Sequence, residues 1–291
     1  MSYSIAKCDS GITLLGLTNF DAAQIFDCGQ CFRFNAVSDG TSDIAGIARG
    51  RYLRVHTDGQ SVSLVGACED DFHSLWETFL SLDTDYAAVD DEITSAFDTI
   101  LGREDEVIRR AIKRGSGIRI LRQQPWEALI SFIISQNNNI PRIKKIISAL
   151  CEAYGEPIDT PDGVMHTFPT PDAIAGAGVD GIFALKTGFR AKYIIDAANR
   201  VLCGECDLDA LAKPSVSAED SAAQLMKING VGPKVAACVN LFGLSKISAF
   251  PVDVWIKRVL ARHYPEGLDY TRIGRYAGIA QQYLFYNERW E

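Results

Sequence analysis

The sequence predicts an α+β chain: an antiparallel β-rich domain over residues 1–85, and a mainly α-helical domain over 86–291 against which the N-terminal part packs. Two patterns predict this. Up to about residue 66, short runs alternate apolar with polar residues between Gly and Asp turns; from Asp70 onward the apolar period becomes helical. Size agrees, since 291 residues with 47% hydrophobic content suffice for two cores.

The strand signals are clearest in RYLRV (51–55) and SVSLV (61–65), which flank the tight-turn pair Asp58-Gly59. Asp39-Gly40 marks another turn. The helical period starts in DFHSLWETFLSL, strand signals largely vanish beyond it, and the domain boundary is expected near residues 82–90. A helix from Pro125 carries Trp126, Leu129, Ile130, Ile133 and Ile134 at the spacing of a buried face. After SQNNN, a second helix near Pro141 buries Ile143, Ile146, Ile147 and Leu150, with Arg142, Lys144 and Lys145 pointing elsewhere. Between them, Asn137, Asn138 and Asn139 suit a tight turn or helix caps, but short amides are also good readers of base edges.

Ser217 and Asp220 form a capping box for a helix running through Leu225 to Ile228. In NGVGP, Gly230 and Gly232 permit positive φ, and Pro233 suits the first position of the next helix, KVAACVNLFGL. This is a helix-hairpin-helix, whose exposed backbone N–H groups at a helix start form an anion site fitted to a DNA phosphate. In FPVDVWIKRVL, Asp253 is the expected N-cap of a further helix with Val254, Val259 and Leu260 on its apolar side.

A formal net charge of −8 argues at first against a polyanionic partner. The charge is unevenly placed. Residues 1–100 carry 5 Lys/Arg against 16 Asp/Glu, whereas residues 101–150 carry 10 against 4, so a polyanion would bind the C-terminal two-thirds. MSYSIAKCDS is unlike a signal peptide and no apolar run reaches a membrane span, which leads to the expectation of a cytoplasmic protein without membrane contact. The eight cysteines are too few for a disulfide scaffold. Cys28/Cys31 and Cys203/Cys206 make two C-x-x-C pairs, but they lie far apart beside unrelated elements, and no metal is expected.

Lys234 falls in the first turn of the second hairpin helix, where cations are disfavoured. The same field favours the neutral, nucleophilic amine, although a phosphate-binding or solvated lysine is the plainer alternative. Nineteen residues on, Asp253 offers an ionised carboxylate held in direction by its cap bonds. Such a group can stabilise an oxocarbenium-like sugar while an amine attacks it.

The chain resembles the 8-oxoguanine DNA glycosylase/AP lyase family of helix-hairpin-helix (HhH-GPD) glycosylases over nearly its whole length. The similarity rests on GQCFRF (29–34), SFIISQNNNIPRI (131–143), GFRAKYI (188–194), INGVGPKVAACV (228–239), PVDVW (251–255) and YAGIAQQYLF (276–285). The resemblance implies a bifunctional enzyme of base excision repair that needs no cofactor and acts as a monomer on double-stranded DNA containing 8-oxoguanine. Lys234 would attack C1′ and form a Schiff base that undergoes β-elimination, with Asp253 stabilising developing positive charge. The carbonyl of Gly29 would accept the N7–H that 8-oxoguanine has and guanine lacks. Guanine N7 would instead oppose one acceptor with another.

The resemblance also places Cys238 beneath the flipped base, Gln281 on its Watson–Crick edge and Phe285 on its ring. Each has a plain alternative: a buried cysteine, a turn glycine at 29, or core packing for Phe285. Asn137 would fill the hole left by the flipped base beside Asn138 and Asn139, Phe189 would act as the wedge, and Arg142 with Arg190 would read the widowed cytosine. Gly230 and Gly232 would belong to the phosphate grip. Phe189 in place of the more usual tyrosine, with Trp255 and Phe242 at the base pocket, departs from eukaryotic members and suggests a bacterial or archaeal branch, nucleoid-associated in the cytoplasm.

Three rival readings are weaker. Iron–sulfur glycosylases carry four cysteines after the hairpin, and none follows Cys238 here. Monofunctional alkylbase glycosylases lack the hairpin lysine. A passive DNA-binding hairpin needs neither Lys234 nor Asp253.

Overall fold

A computed structural model describes residues 3–8, 10–38 and 43–290. The Asp39-Gly40 turn lies outside the described residues. The first layer is a six-stranded antiparallel sheet in the order β1-β2-β6-β5-β4-β3. Its strands are β1 (Ser4–Cys8), β2 (Gly11–Leu15), β3 (Phe34–Ala36), β4 (Ile44–Ala48), β5 (Arg51–Thr57) and β6 (Ser61–Val65). The β5–β6 hairpin closes with Thr57 opposite Val62. Asp58 accepts from the N–H groups of Gln60 and Ser61, and Gly59 takes φ +84°. Alternation then aims Leu53, Val55, Val62 and Leu64 inward, onto Phe26, Phe34, Phe72, Trp76 and Phe79.

Two elements escape the alternation argument. Helix α1 (Ala22–Asp27), capped by Asp21, crosses the sheet's inner face, and a small hairpin of β7 (Pro157–Thr160) and β8 (Gly163–His166) interrupts the helical part. Both are too short to show a period. The segment after the sheet is helical as expected, in α2 (Glu69–Asp71), a π turn (Phe72–Trp76) and α3 (Glu77–Phe79).

The second core is built mainly from helices from Tyr86 onward, with Cys28 and Phe32 contributed by the N-terminal part. Around it lie α4 (Tyr86–Leu101), α5 (Glu106–Arg114), α6 (Pro125–Ser135), α7 (Ile140–Tyr154), α8 (Pro171–Ile182), α9 (Arg190–Leu202), α10 (Leu208–Ala212), α11 (Ala218–Leu225), α12 (Pro233–Phe242), α13 (Val254–His263) and α14 (Ala277–Arg289). Helix α6 is buried on every side from Trp126 to Ile134 and packs against α7, α9 and α12. Its apolar stripe is therefore wider than an amphipathic face, because partners cover it all round.

Several local expectations need correction. Helix α11 stops at Leu225, short of Ile228, since Met226 closes it and Gly230 turns the chain. Lys144 does not point away but donates from Nζ to the Phe34 carbonyl at 2.8 Å, tying α7 to the sheet, and burial pulls its pKa down. Val254 is 64% exposed, because the first position of α13 overhangs solvent while Ile256 and Val259 face the core.

The layers are joined by buried polar groups. Arg119, 1% exposed, donates to the carbonyls of Thr18, Asn19 and Ser81. Arg33 pairs with Glu127 of α6 at 3.4 Å and also donates to the His166 carbonyl of β8. These bonds hold the 28–34 loop of the N-terminal part against the helical layer, where the site lies.

Candidate active site

A cavity of about 650 Å³ opens where α6, α12, α13 and α14 meet the 28–32 loop. Lys234, Cys238 and Phe242 line it from α12, Asp253 and Trp255 from α13, and Gln281 and Phe285 from α14. Gly29 and the asparagines Asn137, Asn138 and Asn139 complete the wall.

The hairpin explains the position of the lysine. Gly230 has φ +79°, and a Cβ there would lie 2.2 Å from the Tyr193 ring, so a side chain is excluded on both counts. Gly232 departs from expectation. It is extended (φ −95°, ψ −178°) as the N-cap of α12 and offers no side-chain cap, so the first N–H groups of the helix are left free for an anion. Pro233 occupies the first turn as the sequence requires, and Lys234 follows it, half-buried.

Lys234 Nζ donates to Ser135 Oγ at 3.3 Å and stands 5.5 Å from the centroid of the Phe132 ring. Ser135 in turn donates to the Phe132 carbonyl at 2.8 Å, which turns its lone pairs toward the amine. Asp253 caps α13 as expected, with Oδ1 accepting from Trp255 N at 3.0 Å and Ile256 N at 2.8 Å. Both bonds fall on Oδ1, so Oδ2 has no hydrogen-bond partner among the described residues. Lys234 and Asp253 share the cavity without forming an ion pair among those residues. Cys238 is 4% exposed; burial pushes its thiol pKa up, Lys234 opposes the shift and Asp253 adds to it.

The rest of the lining is aromatic and amide. Phe242 stacks on Phe132 with centroids 5.3 Å apart, and Arg258 lies 4.8 Å over the Trp255 ring. Gln281 is 4% exposed, yet its Oε1 has no hydrogen-bond partner among the described residues. A buried amide oxygen left unpaired is costly, so a donor from a ligand or a water would be stabilising there. Gly29 takes φ +78°.

The asparagines form the rim of the cavity, and Arg142, Phe189 and Arg190 lie outside its lining. Asn139 is the N-cap of α7, accepting from Arg142 N at 3.0 Å, and Asn137 takes φ +50° at the turn. Asn138 donates to the Ile134 carbonyl but leaves its buried Oδ1 unpaired. Phe189 is 52% exposed at the start of α9, with the Arg190 guanidinium 4.4 Å over its ring. Arg190 is buried and donates to the carbonyls of Gln136 and Thr187; burial and neighbouring Arg142 both lower its pKa. Arg142 is exposed.

The two C-x-x-C pairs do not meet. Cys28 and Cys31 are buried in different cores, where burial pushes their thiols up to about 12 and about 11, and Cys203 is exposed on another face. Among the described residues, no group of three or more His, Cys, Asp or Glu side chains is arranged to hold a metal ion. Sequence reasoning missed Ser135 and the buried glutamines Gln30, Gln123 and Gln282, which bond around the Gly29 loop. Only the doubled glutamine in the otherwise apolar AGIAQQYLF hinted at a second polar role in α14.

Comparison with known proteins agrees with this geometry. The 8-oxoguanine DNA glycosylase N-terminal domain matches residues 13–129, and the HhH-GPD superfamily base excision DNA repair protein model matches residues 130–271. The solved structure of MBOgg1 with a low-affinity DNA ligand is 38% identical, with a TM-score of 0.90 and 99% of each chain covered. The Clostridium acetobutylicum 8-oxoguanine glycosylase/lyase, solved with duplex DNA containing cytosine opposite 8-oxoG, is 34% identical, with a TM-score of 0.89 and 99% of each chain covered. The Saccharomyces cerevisiae N-glycosylase/DNA lyase is 38% identical over 190 residues, 62% of this chain and 50% of that protein, so the chain spans about half the length of this relative. With matches along both layers and the hairpin lysine and capped aspartate on one cavity, the chain belongs to the 8-oxoguanine DNA glycosylase family of the HhH-GPD superfamily.

Proposed function

We propose that the protein is a bifunctional DNA glycosylase/AP lyase that flips 8-oxoguanine out of duplex DNA, excises it opposite cytosine, and cleaves the strand through a Lys234 Schiff base. The observation that carries this reading is that Lys234, the capped Asp253 carboxylate and a buried amide, Gln281 Oε1, unpaired among the described residues, line one cavity.

The chemistry follows from that arrangement. The uncapped start of α12 grips a phosphate and brings C1′ toward Lys234. As the N-glycosidic bond lengthens, its electron pair leaves with the base and positive charge grows on the sugar. Asp253, kept ionised and aimed by two backbone N–H groups, stabilises that charge. Lys234 Nζ attacks C1′, and the proton it then gives up neutralises the departing base anion. Ring opening then yields the imine, and loss of a proton from C2′ expels the 3′ phosphate. Ser135, whose own proton is engaged by the Phe132 carbonyl, holds the amine by accepting from it.

Recognition uses other residues of the same lining. Gln281 Oε1 receives a donor from the base's Watson–Crick edge, Phe285 stacks on the ring, Cys238 lies beneath it and the Gly29 carbonyl accepts N7–H. Arg142 and Arg190 are neighbouring cations, and the acceptor-rich edge of a widowed cytosine suits their remaining donors. The expected setting is a monomer in the cytoplasm, associated with nucleoid DNA and without a cofactor.

Strand scission of duplexes with 8-oxoguanine opposite each of the four bases tests this reading. Cytosine should be preferred by about tenfold or more, in line with the discrimination of one good bidentate contact. Equal rates opposite all four bases would remove the role given to Arg142 and Arg190. Failure to release 8-oxoguanine from any duplex would overturn the assignment itself.

A further inference from the structure

The Gly29 carbonyl can tell 8-oxoguanine from guanine only if its direction is held, yet it sits in a glycine at φ +78°, where the backbone is most free to turn. Both neighbouring peptide planes are pinned by buried glutamines. Gln282, 2% exposed on α14, donates from Nε2 to the Cys28 carbonyl at 2.6 Å. Gln123, 5% exposed, donates to the Gln30 carbonyl at 2.6 Å. The Gln30 side chain, fully buried, donates to the carbonyls of Ile25 at 3.0 Å and Arg119 at 2.7 Å and accepts from Leu121 N at 2.8 Å. The plane between residues 29 and 30, which carries the discriminating oxygen, thus hangs between two fixed planes. Among the described residues that oxygen accepts no hydrogen bond of its own.

We infer that Gln282 is a positioning residue for base discrimination: by holding the Cys28 carbonyl from the helix that also carries Gln281 and Phe285, it locks the Gly29 carbonyl in register with the base-reading side chains. Its helix position supports this. Gln281 faces the cavity with a free Oε1 while its neighbour spends its amide on the loop opposite, so one turn of α14 sets both the edge contact and the loop contact. The role concerns reading the base and not the lysine chemistry, since no bond links Gln282 to Lys234, Ser135 or Asp253 among the described residues. It rests on the glycosylase reading above.

The test compares two reactions of the same protein. Gln282→Met keeps the length and packing of the side chain and removes the donor, and Gln123→Met loosens the other plane as a second variant. Single-turnover release of 8-oxoguanine opposite cytosine should fall about tenfold in either variant, the scale of one lost hydrogen bond in a buried site. Binding preference for 8-oxoguanine over guanine should fall with it. Cleavage at a preformed abasic site, which has no base to read, should stay within about twofold by the same reasoning, since no bond to the reacting lysine is lost. Equal loss of both reactions in both variants would mean a merely structural role and overturn the inference, as would unchanged 8-oxoguanine release. Absence of either reaction in the unsubstituted protein would instead count against the glycosylase reading.

Discussion

At the scale of the residue, the site separates positioning from chemistry. Ser135 shows how: it accepts from Lys234 at 3.3 Å while its own proton is held at 2.8 Å by the Phe132 carbonyl, so it fixes the amine without competing for the sugar. Ser135→Ala should slow imine formation about three- to tenfold, the worth of one hydrogen bond, and leave DNA affinity unchanged. Borohydride-trapping rates and a binding isotherm on the same duplex measure the two, and a parallel loss of affinity would contradict the division. Lys234 and Asp253 were legible as candidates because each stands at a helix start, a position whose electrostatics can be reasoned from sequence. Ser135 was not, because nothing in SFIISQNNN marks which residue of α6 ends beneath a lysine ninety-nine positions away.

At the scale of the element, the proposed function rests on helix ends. Asp253 both caps α13 and faces the cavity, and two substitutions separate these roles. Asp253→Asn can still cap and should keep stability within about 0.5 kcal/mol, whereas Asp253→Ala should lose about 1 kcal/mol. Both should lose base excision; full excision by Asp253→Asn would leave capping as the only role of that residue. The sequence pattern located α6, α7, α11, α12 and α13 because their buried faces recur at helical spacing and their caps have recognisable chemistry. It overlooked α1 and the β7–β8 hairpin, whose four to six residues per element are too few for a recurring pattern to stand out. It read Gly230 and Gly232 alike as permitting positive φ, and of the two Gly230 alone uses it. Flexibility can be read from a glycine letter, but the conformation is decided by what packs on it, here the Tyr193 ring against Gly230.

At the scale of the whole molecule, a chain of net charge −8 presents an uncapped helix start and two neighbouring arginines to an anionic partner. Composition alone pointed away from that partner, and only the uneven placement of charge along the chain pointed back. The acidic groups also set the pH response. Burial raises Asp90 from the ordinary 3.8 to about 6, against an opposing bond from Tyr283 at 2.8 Å. A carboxyl raised in the folded state contributes stability fully present below its unfolded pKa and lost as pH rises through about 6. Asp98, lowered to about 2 chiefly by its Arg109 hydrogen bond, acts oppositely: its contribution is full above 3.8 and is lost as pH falls through about 2. Asp90→Asn should therefore raise the melting temperature at pH 7, with the gain gone near pH 4, as followed by thermal denaturation; a gain independent of pH would contradict the assignment. The central claim, that the hairpin lysine is the nucleophile, is tested most directly by borohydride trapping on a duplex with 8-oxoguanine opposite cytosine. The unsubstituted protein should yield a covalent protein–DNA complex, and Lys234→Gln should yield none while still binding the duplex. Undiminished trapping by Lys234→Gln would contradict the account.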